Sequence, residues 1–399
     1  MIDENLHFSS DLRRLGYVKL FVWLSSHRTN ISKNMLIKKY RQKIINYRDK
    51  YNWNYNIDND IYLSGQGMGD EDRQAANDLI AHHHLSLAQD LEFIRKGMYS
   101  WAKNGYILAS LSSKENGSFP YNDEKILDKE LKKKGFIAKL SNGEKLVFSK
   151  ALLTKDFDRI IPIMMLLEQY SEKKLIEENY LISIEKWLNI KIEYSISNII
   201  KHKIMLQKRD IDQKISRLHM ELEDMKKGKK ITHKPKKPSM LLYCREQTSP
   251  RLEFLQDIGY VNKKRNKFFV SNLGKSIMEK MINQFDPNKD VSSSSINNEV
   301  NLLKSIVDVT CSELKEISYE NFISKFKKIS KFYTKASTLL LSYYNTYLAT
   351  ASIAIEDNEY LPLYVYDKYL NKLKDQKSII ISTSGRGTKY IKIRVIRSS

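Results

Sequence analysis

Two stretches of this 399-residue chain repeat one short pattern, and the pattern restricts what either stretch can form. In residues 131–148, Gly135 follows a helix-compatible run and Phe136 and Ile137 come next. Asn142-Gly143 then marks a turn, and Leu146, Val147 and Phe148 make a second apolar run. In residues 255–270, Gly259 follows Leu255, and Tyr260 and Val261 come next. Lys263, Lys264, Arg265, Asn266 and Lys267 form a polar tip, after which Phe268, Phe269 and Val270 return. Glycine adopts the left-handed conformation that ends helices at little cost. Asn-Gly between apolar runs is a strong hairpin signal. Each stretch is therefore expected to be a helix end followed by a β-hairpin. A looser third example closes the chain, with a helix over 364–374, strands over 378–382 and 390–394, and a loop holding Gly385-Arg386-Gly387. In that hairpin Ile379, Ile381, Ile391, Ile393 and Val395 are expected to face inward, and Arg386, Lys389, Lys392 and Arg394 outward.

The order helix, glycine, hairpin resembles the last helix and wing of winged-helix DNA-binding proteins, at the level of the superfamily. The resemblance implies a wing lying along the phosphate backbone and a preceding helix reading the major groove. On that helix Arg251 and Gln256 are the side chains suited to base edges. Glu253 and Asp257 beside them oppose phosphate, so little sequence preference is expected. Ser249-Pro250 reads as the start of this helix, serine as cap and proline in the first turn. The fold class expected is mainly α with small β-hairpins, in which two or three winged-helix-like units are joined by long helices.

Charge distribution supports a polyanionic partner. The chain carries a formal net charge of +21. Residues 1–100 hold 14 basic and 12 acidic side chains, whereas residues 201–280 hold 21 and 9. After Asp375 six basic residues meet no acidic one. AT-rich coding would also raise lysine, but it would not concentrate charge on two hairpins and the segment ahead of one of them. Phosphate contact is assigned to Lys229, Lys230, Lys236 and Lys237 in that segment, and to Arg251, Lys263, Lys264, Arg265 and Lys267 around the second hairpin. Arg386, Lys389, Lys392 and Arg394 complete the set in the third. The tip of the first hairpin is nearly neutral, because Glu144 offsets Lys145, and it reads as structural.

The organisation expected is a helical region over 1–110, a first winged-helix-like unit over 111–155, and long helices with a basic linker over 156–238. A second winged-helix-like unit over 239–285 and a C-terminal domain over 299–399 follow. A helix over 70–103 would carry Leu79, His83, Leu87, Leu91 and Ile94 on one stripe. Residues 157–227 read as a helix pair or one long helix, broken near Pro162. Ala336 to Ile355 is uncharged but rich in Ser, Thr and Tyr, which marks a buried helix and not a membrane span. Cys244 and Cys311 follow no metal or redox spacing, and the opening residues carry no targeting pattern, so a cytoplasmic location is expected.

Little points to catalysis. His82, His83 and His84 diverge on a helix and cannot jointly bind one ion, so one core and two surface histidines are expected. Gly65–Gly69 lacks the P-loop pattern. Neither a metal-nuclease set nor a nucleophile triad is legible. The function read from the sequence is a non-catalytic, cofactor-free, double-stranded DNA-binding subunit of a larger DNA-processing, restriction or phage-defence complex, with further protein subunits as partners and no membrane. A protein–protein scaffold, or a nuclease with an unrecognised motif, are the alternatives.

Overall fold

The computed structural model describes residues 15–26, 31–51, 78–119, 140–228, 239–265, 267–283, 296–335, 341–385 and 388–394. They fall into two compact units. The inserted unit holds Leu152–Asn298, and the split unit combines Arg14–Ala151 with Glu299–Ser399. The fold is mainly helical with small strand pairs, as the sequence leads one to expect.

The split unit begins with α1 (Gly16–Leu24), which is buried from Gly16 to Trp23 and so is a core helix, not an amphipathic one. It is followed by α2 (Lys33–Tyr51), α3 (Asp78–Asp90) and α4 (Lys103–Leu111). The helix expected over 70–103 stops early, and residues 70–77 lie outside the described residues. Asn104 Nδ2 donates to the Leu91 carbonyl at 2.7 Å, and Glu92, Gly97 and Tyr99 all take positive φ. The stripe is also rotated. Leu79 is exposed, and His84 rather than His83 enters the core beside Ile80, Leu87 and Ala88.

The first expected hairpin is corrected. Gly135 lies outside the described residues, but Asn142 to Phe148 open α5 (Asn142–Leu167). Ser141 and Glu144 form a reciprocal capping box. The Glu144 N–H donates to Ser141 Oγ at 3.3 Å, and the Ser141 N–H to Glu144 Oε2 at 2.9 Å. Gly143 sits so close to a later helix that a Cβ would lie 2.3 Å from the Ser352 carbonyl oxygen. Glycine is needed here for close approach and not for a turn, and Leu146, Val147 and Phe148 are buried as helix core. Beyond Ala151 the helix belongs to the inserted unit. It breaks at Asp156 (φ −133°, ψ 22°) and continues through Pro162, so the break precedes the proline.

In the inserted unit α6 (Lys173–Tyr194) and α7 (Asn198–Lys226) form a helical hairpin, one of the two arrangements left open by the sequence. Next, α8 (Met240–Asp257) is one helix running through Pro250, not one beginning there. Ser239 supplies the cap, accepting from the Leu242 N–H at 3.3 Å, and Glu221 accepts from the N–H groups of Met240 and Leu241 at 2.9 and 3.2 Å. With the first turn so well satisfied, no second start at Ser249 is needed. The expected hairpin follows as β1 (Val261–Lys264) and β2 (Lys267–Val270), antiparallel, and α9 (Asn272–Asn283) closes the unit.

The split unit resumes with α10 (Ile296–Thr310), β3 (Lys315–Glu316), α11 (Tyr319–Lys335), β4 (Leu341–Ser342), α12 (Tyr343–Glu356) and β5 (Glu359–Tyr360). Most of α12 is buried, and Thr346 and Thr350 satisfy their hydroxyls on carbonyls four residues back. Among the described residues no helix is long and apolar enough to cross a membrane. The chain ends in α13 (Leu363–Asp375), β6 (Ile379–Thr383) and β7 (Lys389–Ile393), a helix and hairpin as expected, with β4 added on the far side of β7.

Candidate nucleic-acid interface

The hairpin of the inserted unit is set by its flanks. Gly259 has φ +85°, and the Tyr260 N–H reaches back to the Leu255 carbonyl at 2.8 Å, which turns the chain out of α8. Tyr260, Val261 and Phe268 are buried and fix the register, which pairs Val261 with Val270 and Lys264 with Lys267. Arg265 takes φ 57° at the tip, the left-handed geometry a two-residue loop requires. The outer edge of β2 is also held, because the Phe268 N–H donates to the Ser171 carbonyl at 2.8 Å.

This geometry divides the four tip cations. Lys264 and Arg265 are exposed and enter no ion pair among the described residues. Lys267 lies 3.7 Å from Glu172. Lys263 is half-buried, 3.6 Å from Glu253, with its ammonium 5.5 Å from the centre of the Phe268 ring. Two charges therefore project freely and two are engaged.

The reader helix is corrected. Arg251 is buried, and its Nε and Nη2 bind both oxygens of Asp156 at 2.6 and 2.9 Å. Its Nη1 donates to the carbonyl and side-chain oxygens of Gln247. Gln256 is half-buried with its Oε1 buried. Glu253 and Asp257 are buried too. The residues that sequence assigns to base contact are the packing face of α8, so no helix of this unit presents Arg251 to a groove. A guanidinium four residues from a glutamine looks the same in sequence whether it faces out or meets a carboxylate 95 positions earlier.

At the C-terminus the strand pairing places Ile379, Ile381, Ile391 and Ile393 on one face, with Ile379 and Ile391 fully buried. Val395 and Arg386 lie outside the described residues, as do Lys229, Lys230, Lys236 and Lys237. Lys389 has the parity of Ile391, not of Lys392, but at the start of β7 it is exposed, as expected. Its ammonium lies 5.3 Å from the centre of the Tyr343 ring. Burial raises the carboxyl of nearby Asp367 while Lys389 pulls it down. Lys392 and Arg394 stay on the opposite, exposed face, flanking the line of Tyr390.

Sequence reasoning missed other exposed cations of the inserted unit. Lys275 and Lys280 lie on the outer face of α9, opposite buried Ile277, Met278 and Met281. The helical period of that segment is the signal that could have found them.

His84 is buried, its Nδ1 3.3 Å from Tyr40 Oη, and burial lowers its pKa to about 3, so it is neutral. His82 and His83 are half-buried, and among the described residues no group of three or more His, Cys, Asp or Glu is placed to hold a metal ion. Burial pushes both thiols, Cys244 and Cys311, up to about 12, far from nucleophilic range. The chain matches no protein-family model, no curated protein and no solved structure.

Proposed function

We propose that this chain is a non-catalytic double-stranded DNA-binding protein that holds phosphates through exposed cations and reads little sequence. The observation that carries the reading is the tip of the β1–β2 hairpin, where Lys264 and Arg265 project with no carboxylate partner among the described residues. Lys392 and Arg394 beside Tyr390 give the split unit a second cationic surface. The burial of Arg251 and of Gln256 Oε1 removes the expected base readers, which favours backbone contact over sequence readout.

The test is fluorescence anisotropy of the full chain on labelled duplexes of unrelated sequence, across a salt series. Affinity is expected to be similar for all duplexes and to fall log-linearly with salt. The variant Lys264→Ala with Arg265→Gly removes both free charges while giving the left-handed tip position a glycine, so lost folding cannot explain its effect. Its salt slope should fall by about 0.9 for each phosphate contact removed. A wild-type slope in this folded variant excludes the hairpin from the interface. Cleavage of the duplex by repurified protein with Mg²⁺ would overturn the non-catalytic reading.

A further inference from the structure

Two apolar stripes run along α7, each with a seven-residue spacing. Ile204, Ile211 and Leu218 are buried and form its packing face within the inserted unit. Ile199, Leu206 and Met220 repeat at the same spacing two residues out of step, with Gln213 in the missing place. Two residues turn an α-helix by roughly 200°, so the second stripe lies on the opposite side. Its members are 72, 50 and 68% exposed, and Met205 next to Leu206 is exposed as well. Single exposed apolar side chains are ordinary, but a row at heptad spacing on one helix face is the form of a helix–helix seam.

The charges along α7 say what fits this seam. Residues 198–209 carry Lys201, Lys203, Lys208 and Arg209 and no carboxylate. Residues 210–224 carry Asp210, Asp212, Glu221, Glu223 and Asp224 against Lys214 and Arg217. A parallel copy of α7 would set the basic half on the basic half. An antiparallel copy centred on Gln213 sets Leu206 opposite Met220 and Lys203 opposite Glu223, each twice by the two-fold axis. Lys203 and Glu223 are both exposed, and among the described residues the Glu223 carboxylate is engaged only 4.0 Å from Lys227, a surface contact of little strength. With 29 residues, α7 offers a seam about 43 Å long. We propose that α7 pairs antiparallel with α7 of a second copy of this chain.

Sedimentation velocity of the full chain over a concentration series tests this. The expected result is the mass of two chains, shifting to one as salt rises. Leu206→Glu with Met220→Glu should give the mass of one chain with an unchanged circular dichroism spectrum. Lys203→Glu and Glu223→Lys should each weaken association at least tenfold, and the two together should restore it, because both cross-helix pairs are then reversed. These charged positions are exposed, so they decide the matter even if the double glutamate variant does not fold. Oxidative cross-linking fixes direction. Leu206→Cys chains should couple to Met220→Cys chains and not to themselves, with little background from the buried Cys244 and Cys311. A wild-type chain that stays at one mass, a dimer that survives in the folded double glutamate variant, or self-coupling of Leu206→Cys overturns the proposal.

Discussion

Each unit contains a buried ion pair between residues far apart in the chain, and the two pairs are built differently. In the inserted unit the guanidinium of Arg251 grips Asp156 with two nitrogens, and its third nitrogen is satisfied by Gln247. In the split unit Lys19 Nζ meets one oxygen of Glu144 at 3.0 Å and lies 4.8 Å from the centre of the Trp23 ring. The first carboxylate sits where α5 breaks, and the second sits where α5 starts and caps it. A planar fork holds a kink in one geometry, whereas a point charge tolerates a carboxylate with another task. Each pair takes one cation and one carboxylate out of the surface, so the net charge of +21 is unchanged while fewer cations stay accessible.

This contrast breaks most readily at the arginine. Arg251→Met should destabilise the inserted unit by about 3–5 kcal/mol, since Asp156 is left buried and charged. Adding Asp156→Leu should recover most of that loss. Urea denaturation of the three proteins measures it, and a loss in the single variant no larger than in the double would show that the pair is not coupled. In the split unit Lys19→Met should cost less, about 1.5–3 kcal/mol, because Glu144 keeps the bond from the Ser141 N–H. Equal losses for the two variants would erase the distinction between fork and point charge.

Smaller effects sharpen the comparison. Space around Gly259 is open, so the penalty of Gly259→Val comes from φ alone, about 1–3 kcal/mol. Thermal melting should show that loss, and an unmoved Tm would mean the turn does not depend on left-handed geometry. The smallest effect is a pH response. His84 has its pKa lowered by burial to about 3 in the folded chain and titrates near the usual 6.5 when unfolded. The unfolded state therefore binds more protons below that value, and stability falls with pH between the two. The loss from pH 7 to 5.5 should be about 1 kcal/mol, and His84→Phe should remove it. Denaturation midpoints at the two pH values for both proteins provide the check.

The fold class, the hairpin at 261–270 and the helix–hairpin at the C-terminus were legible because short-range signals decide them. The left-handed glycine at Gly259, the alternation of isoleucines in β6 and β7 and the lysine-rich tip all act within a few residues. The same local reading failed at Asn142-Gly143. A turn dipeptide lost to a capping box whose glutamate is held by Lys19, 125 positions away. Arg251 was misassigned for a related reason, since its partner lies 95 positions earlier. Among the tip cations, Lys264 and Arg265 kept their expected place, while Lys263 and Lys267 were taken up by Glu253 and Glu172. Composition can count such charges, but only tertiary contacts say which remain available.

The division of the split unit into two stretches of chain has a consequence for its biogenesis. Translation delivers α1 to α4 first, yet the stretch that completes their unit begins only at Glu299. At about 5–20 residues per second, the 147 residues of Leu152–Asn298 take roughly 7–30 s to synthesise. The inserted stretch is complete and able to close in that interval, while the apolar surface of α4 waits for α11 and α12, on which it packs. A ribosome paused before residue 299 would thus carry one finished unit and one open core, and that open core is where chaperone engagement or premature proteolysis would fall.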